Sequence, residues 1–368
     1  MRILLGAGGT AGHLLAARSL FAALVEGGMN PSEIAFVTAD RALDYELIPE
    51  GEFEVLRYRG HGLSRSLRGM PTDLVGTIKA TFQLAPHVLR GHPKVAVGFG
   101  GFVALGSLAL ARLGGARIVT VEQNAVFGRA NQILQPIVSR NALALPIEAG
   151  PTVSRRSWLI GGIVRPEVES LALMDDPKRW CREQLGIDPH ERLIAVAGGS
   201  LGARVLNQSV PRLLELLEAS GSNVPIRVAH FGGSVNDLGS FDRSGSIKYQ
   251  HFGFDPDLYR WLCAADLVVS RAGASTIAEL CALGVGSILV PIAGSSRDHQ
   301  GKNAAVLSRV GAARVLQEGW LSSDRYLQQI VDVACNDESC RHMAAAAKAL
   351  FRPGSTERLA SMVAELAG

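Results

Sequence analysis

The sequence predicts an α/β protein built of two successive units, each a parallel sheet wound with helices. Three observations carry this. The 368 residues are 47% apolar and 19% charged, material for packed cores and more than a single core usually spans. Short apolar runs alternate with helix-length segments, the pattern of parallel strands joined by crossover helices. Two of these runs lead at once into a glycine cluster and a helix, at residues 6–13 and 198–203, so the pattern starts and then restarts.

Taken in order, residues 2–5 (RILL) predict the first strand and residues 13–27 the first helix. Further strands are expected at 34–38, 95–97, 118–121 and 142–145. Residues 146–165 (PIEAGPTVSRRSWLIGGIVR) are rich in Pro, Gly and Ser and predict a linker. Residues 193–197 (LIAVA) form the next strand, Gly198-Gly199-Ser200 a turn and 203–219 a helix. Strands at 226–231, 267–270, 287–291 and 313–316 complete the second half. The expected domains are 1–155 and 165–350, with a last helix at about 353–368 that can pack back on the first.

Composition excludes several classes. The net charge of +3 is too small to imply nucleic acid. Five cysteines, an odd count without a CxxC, fit a reducing cytosol and argue against a disulfide framework or a zinc site. The N-terminus lacks the long apolar core of a signal peptide. The longest uncharged run, 95–111, is broken by Gly98, Gly100, Gly101 and Gly106. A cytoplasmic chain is expected, with any membrane contact peripheral. Residues 1–160 carry 16 Lys/Arg against 11 Asp/Glu. Seven of those bases lie between Arg57 and Lys94 beside a single acid, Asp73. Such a stretch either attracts an anionic surface or is a solvated face.

The glycine loops carry the chemistry. In GAGGTAGH (6–13), Gly9, Thr10 and Gly12 place backbone N–H groups and a helix N-terminus where an anion can bind. No GK[ST] follows, so it is not a P-loop. Asp40 is the nearest acid for a dinucleotide fingerprint, which leaves a dehydrogenase weak. His13 falls in the first helical turn, either as a general base or as a histidine bonded to backbone. A second loop, GFGGF (98–102), holds Gly100 and Gly101. A third, VEQNA (121–125), ends a strand with Glu122 and Asn124, Glu122 being a base, a hydroxyl ligand or a helix cap. Ligands of open α/β sheets bind beyond the carboxyl ends of strands, so these three loops are expected to converge. In the second half GGSLGA offers Ser200 and its neighbours to a phosphate. SRAGASTIAE (270–279) puts Thr276 near a helix start and Glu279 one turn on, where a carboxylate can take two vicinal hydroxyls. SSRDHQGKNA (295–304) offers Asp298, His299, Gln300 and Asn303 to a hydroxyl-rich ligand.

GGTAGH, GGSLGARxLNQ, SRAGAxTxxE and DHQxxNA, in this order over nearly the whole chain, resemble the MurG family. Its members are the UDP-N-acetylglucosamine transferases that complete the lipid-linked peptidoglycan precursor. The resemblance implies a GT-B fold, two Rossmann-like doubly wound parallel-sheet domains facing a cleft. It implies inverting transfer from UDP-GlcNAc to a lipid-linked acceptor, with no metal and no cofactor, on the cytoplasmic face of the membrane. By position it implies that Arg165 and Ser200 contact the diphosphate and Thr276 the α-phosphate side. Glu279 would bind the ribose, His299, Gln300 and Asn303 the sugar hydroxyls, and Phe254 the uracil, its edge bonding backbone near Asp255. Gly9, Thr10, Gly12, Gly100, Gly101, Glu122 and Asn124 match the acceptor side, with His13 as base. In residues 74–90, Leu74, Ile78, Phe82 and Leu89 stand near helical spacing with Lys79 and Arg90, either the family's membrane patch or a core-facing helix broken near Pro86.

Departures from the family pattern fall on the acceptor motifs and the linker. Ala11 replaces a glycine and Ala16 a proline of GGTGGHxxPA, and Gly162-Ile163 stands in the family's Gly-Asn-Pro-Val-Arg. Leu105 replaces a glycine and is expected to crowd the acceptor loop, which raises a different acceptor as an alternative. A UDP-GlcNAc 2-epimerase shares the architecture but does not need GGTxGH. A non-catalytic binding subunit, as in split two-chain transferases, fits less well with both halves on one chain.

Overall fold

The computed structural model describes residues 1–51, 53–60, 70–147, 151–199, 202–233, 246–294 and 298–368. The chain divides into two compact units, Met1–Arg165 with Gly354–Gly368, and Pro166–Pro353.

The first unit holds strands β1 (Ile3–Gly6), β2 (Ile34–Ala39), β3 (Glu54–Tyr58), β4 (Val95–Gly98), β5 (Arg117–Glu122), β6 (Arg140–Leu143) and β7 (Ser157–Leu159). They form one sheet in the order β3-β2-β1-β4-β5-β6-β7. All pairings are parallel, with Ile3 opposite both Ile34 and Val95. Side chains of a strand alternate between faces. Accordingly Ile3 and Leu5 join one apolar cluster, with Leu14 and Leu20 of the helix Ala11–Glu26. Leu4 joins another, with Leu84 and Val88 of the helix Met70–Gly91. Both faces are covered, which is why these strands read as unbroken apolar runs.

The second unit holds β8 (Arg192–Ala197), β9 (Ile226–Phe231), β10 (Lys248–Phe252), β11 (Leu267–Ser270), β12 (Ser287–Leu289) and β13 (Ala313–Val315). Their order is β10-β9-β8-β11-β12-β13, again parallel. In each sheet the first strand sits where the winding reverses, β1 between β2 and β4, β8 between β9 and β11. Loops leaving the two central strands diverge there and open a crevice at the carboxyl edge.

Three strands escape the sequence pattern. β3 (EVLRY), β7 (SWL) and β10 (KYQHF) are all edge strands, paired on one side and partly exposed. The segment 146–165 is therefore not a plain linker. It supplies β7 to the first sheet, where Arg140 lies 4.4 Å from the Trp158 ring centre.

The helix Ser355–Ala367 belongs to the first unit. Leu359, Ala360, Val363 and Ala367 enter the cluster of Ile3 and Leu14. Arg358 donates to the carbonyl of Ile160 through Nε at 3.1 Å. The helix Met70–Gly91 runs through Pro86 without a break, correcting the expectation of one there. Ala80, Leu84 and Val88 face the core while Ile78 (46%) and Phe82 (70%) are exposed. The side chain of Leu74 lies outside the described residues, as do residues 61–69 of the basic stretch.

Candidate active site

At the carboxyl edge of the first sheet, β1 leads into a turn too tight for side chains. A Cβ on Gly8 would meet Val103 Cγ2 at 2.8 Å, the Ala39 nitrogen at 3.1 Å and Asp44 Oδ1 at 3.2 Å. Asp44 is itself buried and accepts from the Ala39 N–H at 2.9 Å, which fixes the end of β2 beside the turn. Burial pushes its carboxyl pKa up, against the Ala39 hydrogen bond and the nearby Arg41 and Arg57. Gly9 takes φ +87°, a conformation that favours glycine. Thr10 then caps the helix, its hydroxyl accepting from the His13 N–H at 3.4 Å.

His13 is held from two sides. Its Nδ1 lies 3.3 Å from the Gly8 carbonyl, which can only accept, so Nδ1 carries the hydrogen. That leaves a lone pair on Nε2. The ring packs on Gly100 (φ +99°) and Gly101 (φ +77°). A Cβ on Gly100 would stand 3.2 Å from Nε2, so the glycines of the second loop make room for the imidazole. Burial lowers the His13 pKa, against the Gly8 hydrogen bond and the through-space pull of Glu122. The ring is therefore neutral at pH 7, the state in which Nε2 can accept a proton.

Glu122 is 3% exposed and its carboxylate is fully engaged. One oxygen accepts from the Asn124 backbone N–H at 3.1 Å and from Asn124 Nδ2 at 3.0 Å. The other accepts from Gly128 N at 2.8 Å and Asn131 Nδ2 at 2.9 Å. Gly128 is the N-cap residue of the helix Arg129–Leu134, so Glu122 ties the third loop to the start of that helix. Gln123, not singled out in the sequence, donates to the Gly12 carbonyl at 3.2 Å and ties the third loop to the first. Loops 1, 2 and 3 thus meet around His13.

The second unit repeats the plan with different chemistry. Gly198, Gly199 (φ +87°) and Gly202 (φ +76°) follow β8. The Gly202 N–H donates to the Gly199 carbonyl at 2.9 Å. Ser200 lies outside the described residues. Thr276 and Glu279 are the third and sixth residues of the helix Ala274–Leu283, both partly buried. Phe254, beyond β10, is 69% exposed. Asp298 takes φ +54° at the start of the helix His299–Arg309, strain of the sort that gathers at functional sites. A Cβ on Gly301 would lie 2.4 Å from its Oδ1, so the Asp298 carboxylate occupies the space beside that glycine. Gln300 accepts from the Ile292 N–H through Oε1 at 3.0 Å, which aims its loop. His299 is partly buried and Asn303 is wholly so. Asn303 donates to the Ala272 carbonyl at 3.1 Å, joining the helix His299–Arg309 to the loop before Thr276. Arg165 is the last residue of the first unit before the chain passes into the second.

The chain matches the glycosyltransferase family 28 N-terminal domain over residues 3–142 and the family's C-terminal domain over residues 193–359. A protein of Nitrosococcus oceani, named UDP-N-acetylglucosamine–N-acetylmuramyl-(pentapeptide) pyrophosphoryl-undecaprenol N-acetylglucosamine transferase, is 34% identical over 100% of this chain and 99% of its own. A protein of the same name from Bradyrhizobium diazoefficiens is 34% identical over 100% of this chain and 98% of its own. The chain belongs to the MurG family. Among solved structures, MurG of Acinetobacter baumannii shares the fold with a TM-score of 0.78 at 24% identity, covering 99% of this chain and 100% of that one. The kitacinnamycin glycosyltransferase gives 0.70 at 16% identity over 100% and 99%. The architecture is thus that of GT-B glycosyltransferases, and the 2-epimerase reading is not favoured.

Set in a MurG fold, the departures sit in the packing. Ala16 is 4% exposed inside the first helix, where an alanine keeps the helical N–H that a proline lacks. Leu105 lies within the helix Gly101–Leu113 and packs against the cluster of Tyr58, Leu84 and Leu108. Its side chain is accommodated by apolar neighbours on a helix that has already begun.

Proposed function

We infer that this chain transfers N-acetylglucosamine from UDP-GlcNAc to the lipid-linked muramoyl-pentapeptide acceptor of peptidoglycan synthesis. The observation that carries this reading is the full-length identity to transferases of that name, over both family 28 domains on one chain. Ala16 and Leu105 are absorbed by packing, so they give no ground for another acceptor.

His13 Nε2 takes the proton from the acceptor hydroxyl as its oxygen attacks C1 of the donor sugar. The bond from C1 to the phosphate oxygen breaks, the electron pair leaves with UDP, and the anomeric centre inverts. Three features suit His13 to this: a fixed tautomer, a neutral ring and glycines that leave Nε2 open. Glu122 and Asn124 act as a pair that holds the third loop, with the carboxylate favouring the imidazolium once it forms. Gly9, Thr10, Gly12, Gly100 and Gly101 line the acceptor's side. On the donor side, the loop carrying Ser200 and the side chain of Arg165 offset the charge developing on the leaving diphosphate. Thr276 serves the α-phosphate side, Glu279 the ribose, Phe254 the uracil face, and His299 and Gln300 the sugar. Asn303, which also donates to the Ala272 carbonyl, serves the sugar with them. No resident metal or cofactor is part of this reading, since the UDP-sugar is a substrate.

No helix among the described residues is long and apolar enough to cross a membrane. The lipid acceptor therefore calls for peripheral contact, and exposed Ile78 and Phe82 beside Lys79 offer an apolar and basic surface for an anionic leaflet. The test of function is UDP release from UDP-GlcNAc with a short-chain lipid I analogue. Acceptor-dependent release with a new disaccharide product is expected. Isomerised UDP-sugar without acceptor would instead support the epimerase, and neither product would leave a binding protein.

A further inference from the structure

Three polar side chains of the second unit take no part in the site as read above, yet they are joined end to end beneath it. Asn207, in the first turn of the helix Arg204–Ala219, and His230, in β9, are both 0% exposed. Tyr249 lies on the neighbouring β10. Their hydrogens can be assigned from one end. The Gly232 carbonyl can only accept, so the Asn207 group 3.1 Å from it is Nδ2. Asn207 Oδ1 then faces His230 Nε2 at 3.1 Å, and Nε2 must carry the hydrogen. His230 Nδ1 is left as an acceptor, and the Tyr249 hydroxyl donates to it at 3.0 Å. Burial, with a smaller push from His251, holds the His230 pKa down at about 4, so the ring is neutral as this chain requires.

Burying three polar side chains is costly unless each is satisfied, and an apolar trio would fill the same space more cheaply. What the chain does is fix Gly232. The Gly232 N–H is also held, donating to the Phe252 carbonyl at 2.9 Å. The next residue, Gly233, takes φ +69° and lies directly against the glycine loop that follows β8. A Cβ there would stand 2.4 Å from the Gly202 nitrogen and 2.7 Å from the Gly199 carbonyl. The exit of β9 is thus pinned from below and serves as a stop for both ends of that loop.

We propose that the Tyr249–His230–Asn207 chain is a positioning element for donor binding. It sets Gly232 and Gly233, and through them the backbone at Gly199 and Gly202. The proposal rests on reading that loop as the donor diphosphate site. Neither His230 nor Asn207 touches substrate in it.

The test uses the full-length protein and UDP itself. UDP affinity is measured by calorimetry, alongside KM for UDP-GlcNAc, KM for the lipid acceptor and kcat. His230→Gln keeps an N–H where Nε2 donates to Asn207 and is expected to bind UDP within about threefold of wild type. His230→Leu removes that donor and is expected to weaken UDP binding about tenfold, about 1.4 kcal/mol, with the acceptor KM unchanged. Tyr249→Phe, a milder change at a partly buried site, moves donor affinity the same way by about threefold and stands in if His230→Leu does not fold. Equal UDP affinity across folded wild type, Leu and Phe variants would overturn the proposal and leave the chain an element of the core. A wild-type protein that binds no UDP overturns the donor reading itself, and this proposal with it.

Discussion

The two units present the same loop in the same place and furnish it differently. After β1 the glycine turn gives way to a helix with Thr10 as a side-chain cap and His13 in its first turn, a titratable ring with one nitrogen tied and one open. After β8 the corresponding helix starts from Ala203, with no side-chain cap bond. In that unit Asn207 and Asn303 are fully buried and donate to the carbonyls of Gly232 and Ala272. One edge offers a side-chain base, the other a backbone held from behind. The difference separates two tasks that the shared fold would leave undivided. Proton transfer needs a lone pair of tuned basicity, and binding a diphosphate needs N–H groups and a helix terminus held rigid.

The largest effect expected from breaking this contrast is on turnover. His13→Ala should lower kcat by about 10²–10⁴-fold, the usual worth of a general base, in a UDP-release assay with saturating acceptor. Turnover within threefold of wild type would take His13 out of the mechanism. Next in size is a pH effect confined to the second unit. The His230 pKa is about 4 when folded against 6.5 for the free side chain. Between these values the unfolded chain binds more protons, so stability falls as pH drops through that window. At about 1.4 kcal/mol per unit the loss approaches ~3 kcal/mol by pH 4. Urea titrations between pH 7.5 and 4.5 should show it in wild type and lose that component in His230→Gln. An unchanged slope in the variant assigns the pH effect to other groups. The smallest effect sharpens the role of Glu122. Removing its charge in Glu122→Gln disfavours the imidazolium, so the His13 pKa falls further and the acid limb of the kcat/KM profile moves to lower pH by less than about one unit. Movement to higher pH would show that Glu122 does not act on His13 through space.

Much of this arrangement is written in local sequence. Strands covered on both faces, such as LIAVA and IAFVTA, read as apolar runs because nothing else could be buried there. Glycine clusters after them mark the loops, since only glycine fits turns as tight as Gly8 and Gly198. What escaped depends on partners distant in the chain. β3, β7 and β10 are edge strands with mixed composition, stabilised by a neighbour and not by a run of their own. Asp44 matters through the Ala39 N–H, His230 through Asn207 and Tyr249, and Gln123 through the Gly12 carbonyl. Glu122 was visible, but its four donors from Asn124, Gly128 and Asn131 were not.

The division of labour is tested most directly by UDP affinity, measured by calorimetry on wild type, His13→Ala and Glu279→Ala side by side. The account predicts that His13→Ala binds UDP as wild type does. Glu279→Ala should bind it about 10- to 100-fold more weakly, the cost of a hydrogen-bonded charge lost from a ligand. Weakened binding in His13→Ala together with unchanged binding in Glu279→Ala would contradict it.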